Sequence, residues 1–160
     1  MKESFITTGS AQTQKLGGIL AEELKGGEIV CLSGELGSGK TTFAQGVLKG
    51  LGAKGPYTSP TFVVMKEYRN FSKVRPFPPP HRRIPQCQTL KNIYHIDAYR
   101  VGSKDILDLG WEEIIASENN IVIVEWAERI KTILPKRALW LKFRHVKNDE
   151  REIILKISKA

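Results

Sequence analysis

The sequence predicts an α/β fold, a mostly parallel sheet flanked by helices with an antiparallel hairpin at its C-terminal end. Three observations carry this. Gly34-Glu35-Leu36-Gly37-Ser38-Gly39-Lys40-Thr41 fits the pattern G-x-x-x-x-G-K-[ST] at every fixed position. It lies between a strand-like Ile29-Val30-Cys31-Leu32 and a helix-compatible run from Thr42 to Leu51. Ile121-Val122-Ile123-Val124 has the composition of a parallel strand covered on both faces, and it ends in Glu125. Finally, Ala138 to Phe143 and Glu152 to Ile157 alternate in polarity on either side of Asn148-Asp149, as the arms of a hairpin do.

The remaining elements follow in order. Ser4 to Thr8 reads as a short first strand. Leu16, Ile19, Leu20 and Leu24 recur at helical spacing, so 11–25 is an amphipathic helix with Ser10 as its N-cap and Gly26-Gly27 as its end. After the phosphate-binding loop and its helix comes a turn, Tyr57 to Thr61, then a strand-like Phe62-Val63-Val64-Met65. Residues 70–90 hold five prolines and the basic Lys73, Arg75, Arg82 and Arg83, and predict an extended surface loop rather than a regular element. That loop is either an insertion without chemistry or a basic docking segment. Lys91 to Asp97 returns to strand character. Lys104 to Leu109 and Gly110 to Ile115 read as short helices, and Trp126 opens a further helix closed before Pro135.

The 160 residues, 41% hydrophobic and 26% charged, suit one soluble domain over 1–160. No stretch approaches the ~20 apolar residues of a membrane span. The N-terminus has no signal-peptide pattern, which points to the cytoplasm. Cys31 and Cys87 form neither a disulfide framework nor a metal motif, and His81, His95 and His145 lack ligand spacing. A net charge of +8 admits acidic partners, RNA among them, although no aromatic-rich RNA motif accompanies it.

The phosphate-loop residues dictate a chemistry. Glycines let backbone N–H groups approach phosphate oxygens, and the helix beginning near Lys40 points its positive end at the same anion. Lys40 would reach the β- and γ-phosphates, and the Thr41 hydroxyl would ligate Mg²⁺. Glu125, an acid after four apolar residues, has the Walker B arrangement and is the second candidate Mg²⁺ ligand. Thr61 and Ser59 are candidate switch hydroxyls, or part of a plain turn. Asp97 ends a strand where open α/β sheets place their ligand crevice, and reads as a switch carboxylate or a turn cap.

In order along the chain, G-E-L-G-S-G-K-T-T-F, S-P-T-F, Y-H-I-D-A-Y-R and V-E-W-A-E-R-I before L-P resemble the TsaE (YjeE) family over about residues 5–157. The resemblance implies a P-loop NTPase fold and an Mg²⁺-dependent ATPase. It also implies a role, with TsaB and TsaD, in making threonylcarbamoyladenosine on a tRNA adenosine. It implies ATP binding by Leu36, Gly37, Ser38, Gly39, Lys40, Thr41 and Thr42, and Mg²⁺ binding by Thr41 and Glu125. Lys40, Thr61, Asp97, Glu125 and Trp126 are implied in activity, and Ser10 and Thr13 on the adenine side. Glu150 and Arg151 of the hairpin are implied near the nucleotide. The Pro-rich 70–90 segment departs from the family, where this connection is a short link. Two other classes fit the motifs alone: a small-molecule kinase, and a non-catalytic adaptor gated by nucleotide. Besides TsaB and TsaD, tRNA itself is a candidate partner.

Overall fold

A computed structural model describes residues 2–69, 90 and 92–156. The prolines and basic residues of the 70–90 segment, Leu90 apart, lie outside the described residues, as does Cys87. The strands are β1 (Lys2–Thr7), β2 (Ile29–Gly34), β3 (Met65–Arg69), β4 (Asn92–Asp97), β5 (Asn120–Glu125), β6 (Leu139–His145) and β7 (Arg151–Lys156). The helices are α1 (Ser10–Glu23), α2 (Lys40–Gly50), α3 (Ser103–Asp108) and α4 (Trp111–Ala116), with a 3-10 helix at Ala127–Ile133.

The seven strands form one sheet in the order β1-β7-β6-β2-β5-β4-β3. Its centre is parallel, β6, β2, β5 and β4 running side by side. The predicted hairpin forms, with β6 and β7 antiparallel. It is not the sheet's margin, because β1 adds antiparallel to β7. At the other margin β3 pairs antiparallel with β4. Helices cover both faces. Phe43, Ala44, Val47 and Leu48 of α2, Ala21 of α1 and Leu24 just after it pack on Val30, Leu32, Ile93, Ile121 and Ile123. Ile106, Trp111, Ile114 and Ile130 cover the opposite face against Ile29, Cys31, Ile96, Val122 and Val124. The strand β5 is buried along its whole length, which is why it reads as an unbroken apolar run.

Four local expectations give way to tertiary contacts. Gly9, not Ser10, is the N-cap of α1, and no side chain caps it; Gln12 instead accepts from the Thr8 N–H at 2.9 Å. The fully buried stripe of α1 is Thr13, Gly17 and Ala21, with Leu16 and Leu20 packed beside it only partly buried, and Ile19, expected on the core face, is 51% exposed. Phe62 to Val64 are not strand. The N–H groups of Val63 and Val64 both turn back to the Pro60 carbonyl, at 3.0 and 2.6 Å, and Val64 takes a φ of 65°. After β5 the expected helix is of the 3-10 type, and Trp126 does not open it in helical geometry but stands before it as the N-cap, at φ 58°, ψ 37°.

Cys31 lies in the middle of β2 with no exposure, and burial pushes its thiol up to about 12. At pH 8 only about one thiol in ten thousand is then the reactive thiolate. Iodoacetamide at that pH should alkylate Cys31 only after unfolding, as peptide mass mapping would register.

Candidate nucleotide site

The parallel strands bring their carboxyl ends to one edge. Leu32 of β2 stands opposite Glu125 of β5, and Glu125 opposite Asp97 of β4. The loop from Gly34 to Gly39 leaves β2 at this edge and turns into α2. Gly39, at φ 100°, is the N-cap of α2, a conformation that favours glycine. A Cβ at Gly39 would lie 3.6 Å from Thr13 Cγ2 and 4.0 Å from Arg151 Cγ. Thus α1 and β7 both close on the last glycine of the loop.

Lys40 Nζ donates to the carbonyls of Gly34 and Glu35, each at 2.7 Å, and lies 3.4 Å from the buried Ser38 Oγ. It also sits 3.9 Å from the centre of the Trp126 ring, an attraction of ammonium to ring quadrupole. Burial holds the Lys40 ammonium below the usual lysine range, while the nearby Glu125, Glu128 and Asp97 carboxylates act against that shift. Glu128 also reaches the loop, accepting from the Gly34 N–H at 3.4 Å.

Glu125, 1% exposed, accepts a hydrogen bond from Thr41 Oγ1 at 2.6 Å on Oε2, while Oε1 lies 2.8 Å from His95 Nε2. Asp97 ties down the segment around Pro60. Its Oδ2 accepts from Thr61 Oγ1 at 2.6 Å and Ser59 Oγ at 3.2 Å, and its Oδ1 accepts from the Tyr99 N–H at 2.9 Å. The Ser59 and Thr61 hydroxyls are themselves 2.7 Å apart.

Trp126 turns the chain out of β5 in the left-handed region, where a residue with a Cβ is strained by about 1–2 kcal/mol. Its ring meets both the Lys40 ammonium and the Tyr99 ring, the two ring centres 4.9 Å apart and tilted by 44°.

These groups surround a cavity of about 250 Å³, lined by Leu36, Gly37, Gly39, Lys40, Thr41, Thr42, Thr61, Asp97, Tyr99, Glu125 and Trp126. Every lining residue but Tyr99 is among the sequence candidates. Ser10, Thr13, Ser38, Glu150 and Arg151 are outside the lining. Ser10 is exposed at the start of α1, Glu150 lies in the hairpin turn, and Arg151 Nη1 donates to the Asn148 and Glu150 carbonyls. His95, Tyr99 and Glu128 were not among the candidates. The first two lie two residues either side of Asp97, and that spacing in a strand is the signal that places His95 on the same face.

The donors present fit Mg²⁺. Thr41 Oγ1 and Glu125 Oε2 are hard oxygens 2.6 Å apart. Mg²⁺ takes one or two carboxylates and fills its shell with substrate phosphates and water. Among the described residues no group of three or more His, Cys, Asp or Glu forms a protein-only cage.

A strand, a glycine-rich loop and a helix starting at its lysine, with a carboxylate on the adjoining parallel strand, define a P-loop protein of the nucleoside-triphosphatase type. Residues 7–153 match the model of the family described as threonylcarbamoyl adenosine biosynthesis protein TsaE. The chain is 33% identical over 147 residues to the tRNA threonylcarbamoyladenosine biosynthesis protein TsaE of Bacillus subtilis (strain 168), covering 92% of this chain and 80% of that protein. Its namesake from Treponema pallidum is 30% identical over 149 residues, 92% of this chain and 96% of that one. The crystal structure of Bacillus subtilis YdiB superposes with a TM-score of 0.75 at 28% identity, over 98% of this chain and 86% of that chain. The chain belongs to the TsaE family, which serves threonylcarbamoyladenosine biosynthesis in tRNA. No helix among the described residues is long and apolar enough to cross a membrane.

Proposed function

We propose that this protein is an Mg²⁺-dependent ATPase whose hydrolysis cycle supports a TsaB–TsaD pair in the cytoplasm as it modifies tRNA. The observation that carries the reading is the 2.6 Å contact between Thr41 and Glu125, made across the mouth of the loop that also presents Lys40. Backbone N–H groups from Gly37 to Thr42 and the N-terminus of α2 hold the phosphates. Lys40 supplies the positive charge that those oxygens need. Thr41 and Glu125 would hold Mg²⁺, which would neutralise negative charge on the phosphates. Trp126 and Tyr99 wall one side against solvent. Thr61, on its Asp97 tether, is placed to follow the state of the γ-phosphate.

The deciding experiment is synthesis of modified tRNA by purified TsaB and TsaD with and without this chain. Repeated turnover that needs hydrolysable ATP and releases inorganic phosphate supports the reading. Labelled phosphate on a small acceptor would make the protein a kinase, and repeated turnover with a non-hydrolysable analogue would make it an adaptor.

Lys40→Ala should weaken ATP binding by about 1.5–3 kcal/mol, or roughly 10- to 150-fold, because hydrogen bonds to the phosphates lose their charged donor. Unchanged affinity by calorimetric titration would rule out the phosphate-loop reading.

Beside the cavity, Phe62 and Val63 are 84% and 59% exposed, an apolar rim on the segment that Asp97 holds. Partner association should therefore depend on nucleotide. Thr61→Ala and Trp126→Ala should keep ATP affinity yet lose partner-stimulated hydrolysis. A pull-down with no nucleotide, ADP and an ATP analogue, paired with ATPase rates, checks this; equal association in all three states contradicts it.

A further inference from the structure

Glu125 is gripped from two sides, and only one grip belongs to the phosphate loop. Thr41 takes Oε2; His95 Nε2 lies 2.8 Å from Oε1. We propose that His95 is a positioning residue, whose Nε2–H fixes the plane of the Glu125 carboxylate so that Oε2 stays directed at Thr41 and the cation side of the cavity. This rests on the reading of Glu125 as the carboxylate that faces Mg²⁺.

The strand geometry makes the contact. His95 and Asp97 project from the same face of β4. The parallel register sets His95 beside Ile123 and Asp97 beside Glu125, so His95 meets Glu125 on the diagonal. The other side chains on this face, Ile93, Ile121 and Ile123, are aliphatic core. An imidazole among them is out of keeping with its surroundings, and His95 has no exposure at all.

Hydrogen-bond chemistry settles which nitrogen does what. An ionised carboxylate only accepts, so the nitrogen facing Oε1 carries the proton. Nδ1 has no partner among the described residues. A buried polar nitrogen left without a partner destabilises the fold relative to an aliphatic side chain in the same space. What the ring contributes is the single Nε2–H contact. A carboxylate bonded at one oxygen can swing about its last torsion; bonded at both, it cannot. Loss of such a partner behind a metal-facing carboxylate weakens metal affinity by about 10- to 100-fold.

The test uses the full chain with Mn²⁺ as a paramagnetic probe and ADP as the nucleotide. Mn²⁺ affinity in the presence of ADP is read by electron paramagnetic resonance, and ADP affinity in EDTA by calorimetry. His95→Phe should lower Mn²⁺ affinity by about 10- to 100-fold while ADP affinity in EDTA stays within about twofold. His95→Gln, whose amide nitrogen can occupy the place of Nε2, should recover most of the loss. If His95→Phe does not fold, His95→Asn, polar but one bond too short to reach Oε1, should show the same loss. Wild-type Mn²⁺ affinity in the Phe or Asn variant would overturn the proposal. So would equal losses in the Phe and Gln variants accompanied by matching losses in EDTA, the mark of a purely structural role. Glu125→Gln separates the two layers. If it binds Mn²⁺ like wild type, the reading of Glu125 fails and takes the inference with it; if it alone loses Mn²⁺, only the role of His95 fails.

Discussion

Glu125→Gln is expected to slow ATP hydrolysis about 100- to 1,000-fold, ~3–4 kcal/mol of barrier, while nucleotide still binds. The asymmetry follows from the division of labour at the cavity. On the proposed reading the phosphates would be held by backbone N–H groups and Lys40, none of which Glu125 supplies. The carboxylate, 2.6 Å from Thr41 Oγ1, would instead help hold the Mg²⁺ that counters the charge developing in the transition state. Single-turnover rates and ATP titrations, measured side by side, give the two numbers. The neighbouring carboxylate is the control, since Asp97 is already occupied by Thr61, Ser59 and the Tyr99 N–H. If Glu125→Gln hydrolysed ATP like wild type and Asp97→Asn did not, the roles of the two acids would have to be exchanged.

The second large effect concerns stability. Gly46→Ala should lower the melting temperature by about 10 °C, corresponding to ~3 kcal/mol or more. Helices α1 and α2 touch through backbone. A Cβ on Gly46 would sit 2.1 Å from the Gln14 carbonyl oxygen, and one on Gly17 would sit 2.4 Å from that of Phe43. Neither obstacle is a side-chain tip that can rotate away, so the helices must part. Parting them also disturbs Thr13, which flanks Gly39 of the phosphate loop. Thermal unfolding followed by circular dichroism measures the cost. A melting temperature within a degree of wild type would mean that the two helices can slide without penalty.

The parts that local sequence made legible are those whose physics is local. The phosphate loop is read from residue types at fixed spacing, β5 from its apolar run, and the hairpin from alternation around Asn148-Asp149. Asn148 does adopt a left-handed φ of 48°, which asparagine tolerates. The parts that were not legible depend on distant partners. Phe62 to Val64 have strand composition but turn, with the neighbouring Ser59 and Thr61 captured by Asp97, 38 and 36 residues away. The leucines of α1 do pack on the core, but its fully buried stripe contains glycine and alanine, a choice that only the proximity of α2 explains. His95 follows from strand alternation with Asp97, but its contact requires knowing that β4 lies beside β5. Of the site, the cavity lining was legible almost throughout. Family resemblance implied Thr13 on the adenine side and Arg151 near the nucleotide, but the approach of both to Gly39 was not legible, since nothing in residue spacing relates positions so far apart.

Among the described residues β1 pairs with no strand but β7, Lys2 standing opposite Lys156. During synthesis β1 therefore leaves the ribosome well ahead of the strand it pairs with. Until β7 emerges, the edge of β1 waits unpaired while the chain between them is made. Helix α1 can dock on α2 long before that, and the phosphate loop can take shape at the end of β2. The flank where Arg151 meets Gly39 cannot. A chain halted before that strand leaves Gly39 without its Arg151 neighbour, and translation itself decides when that flank of the loop is covered.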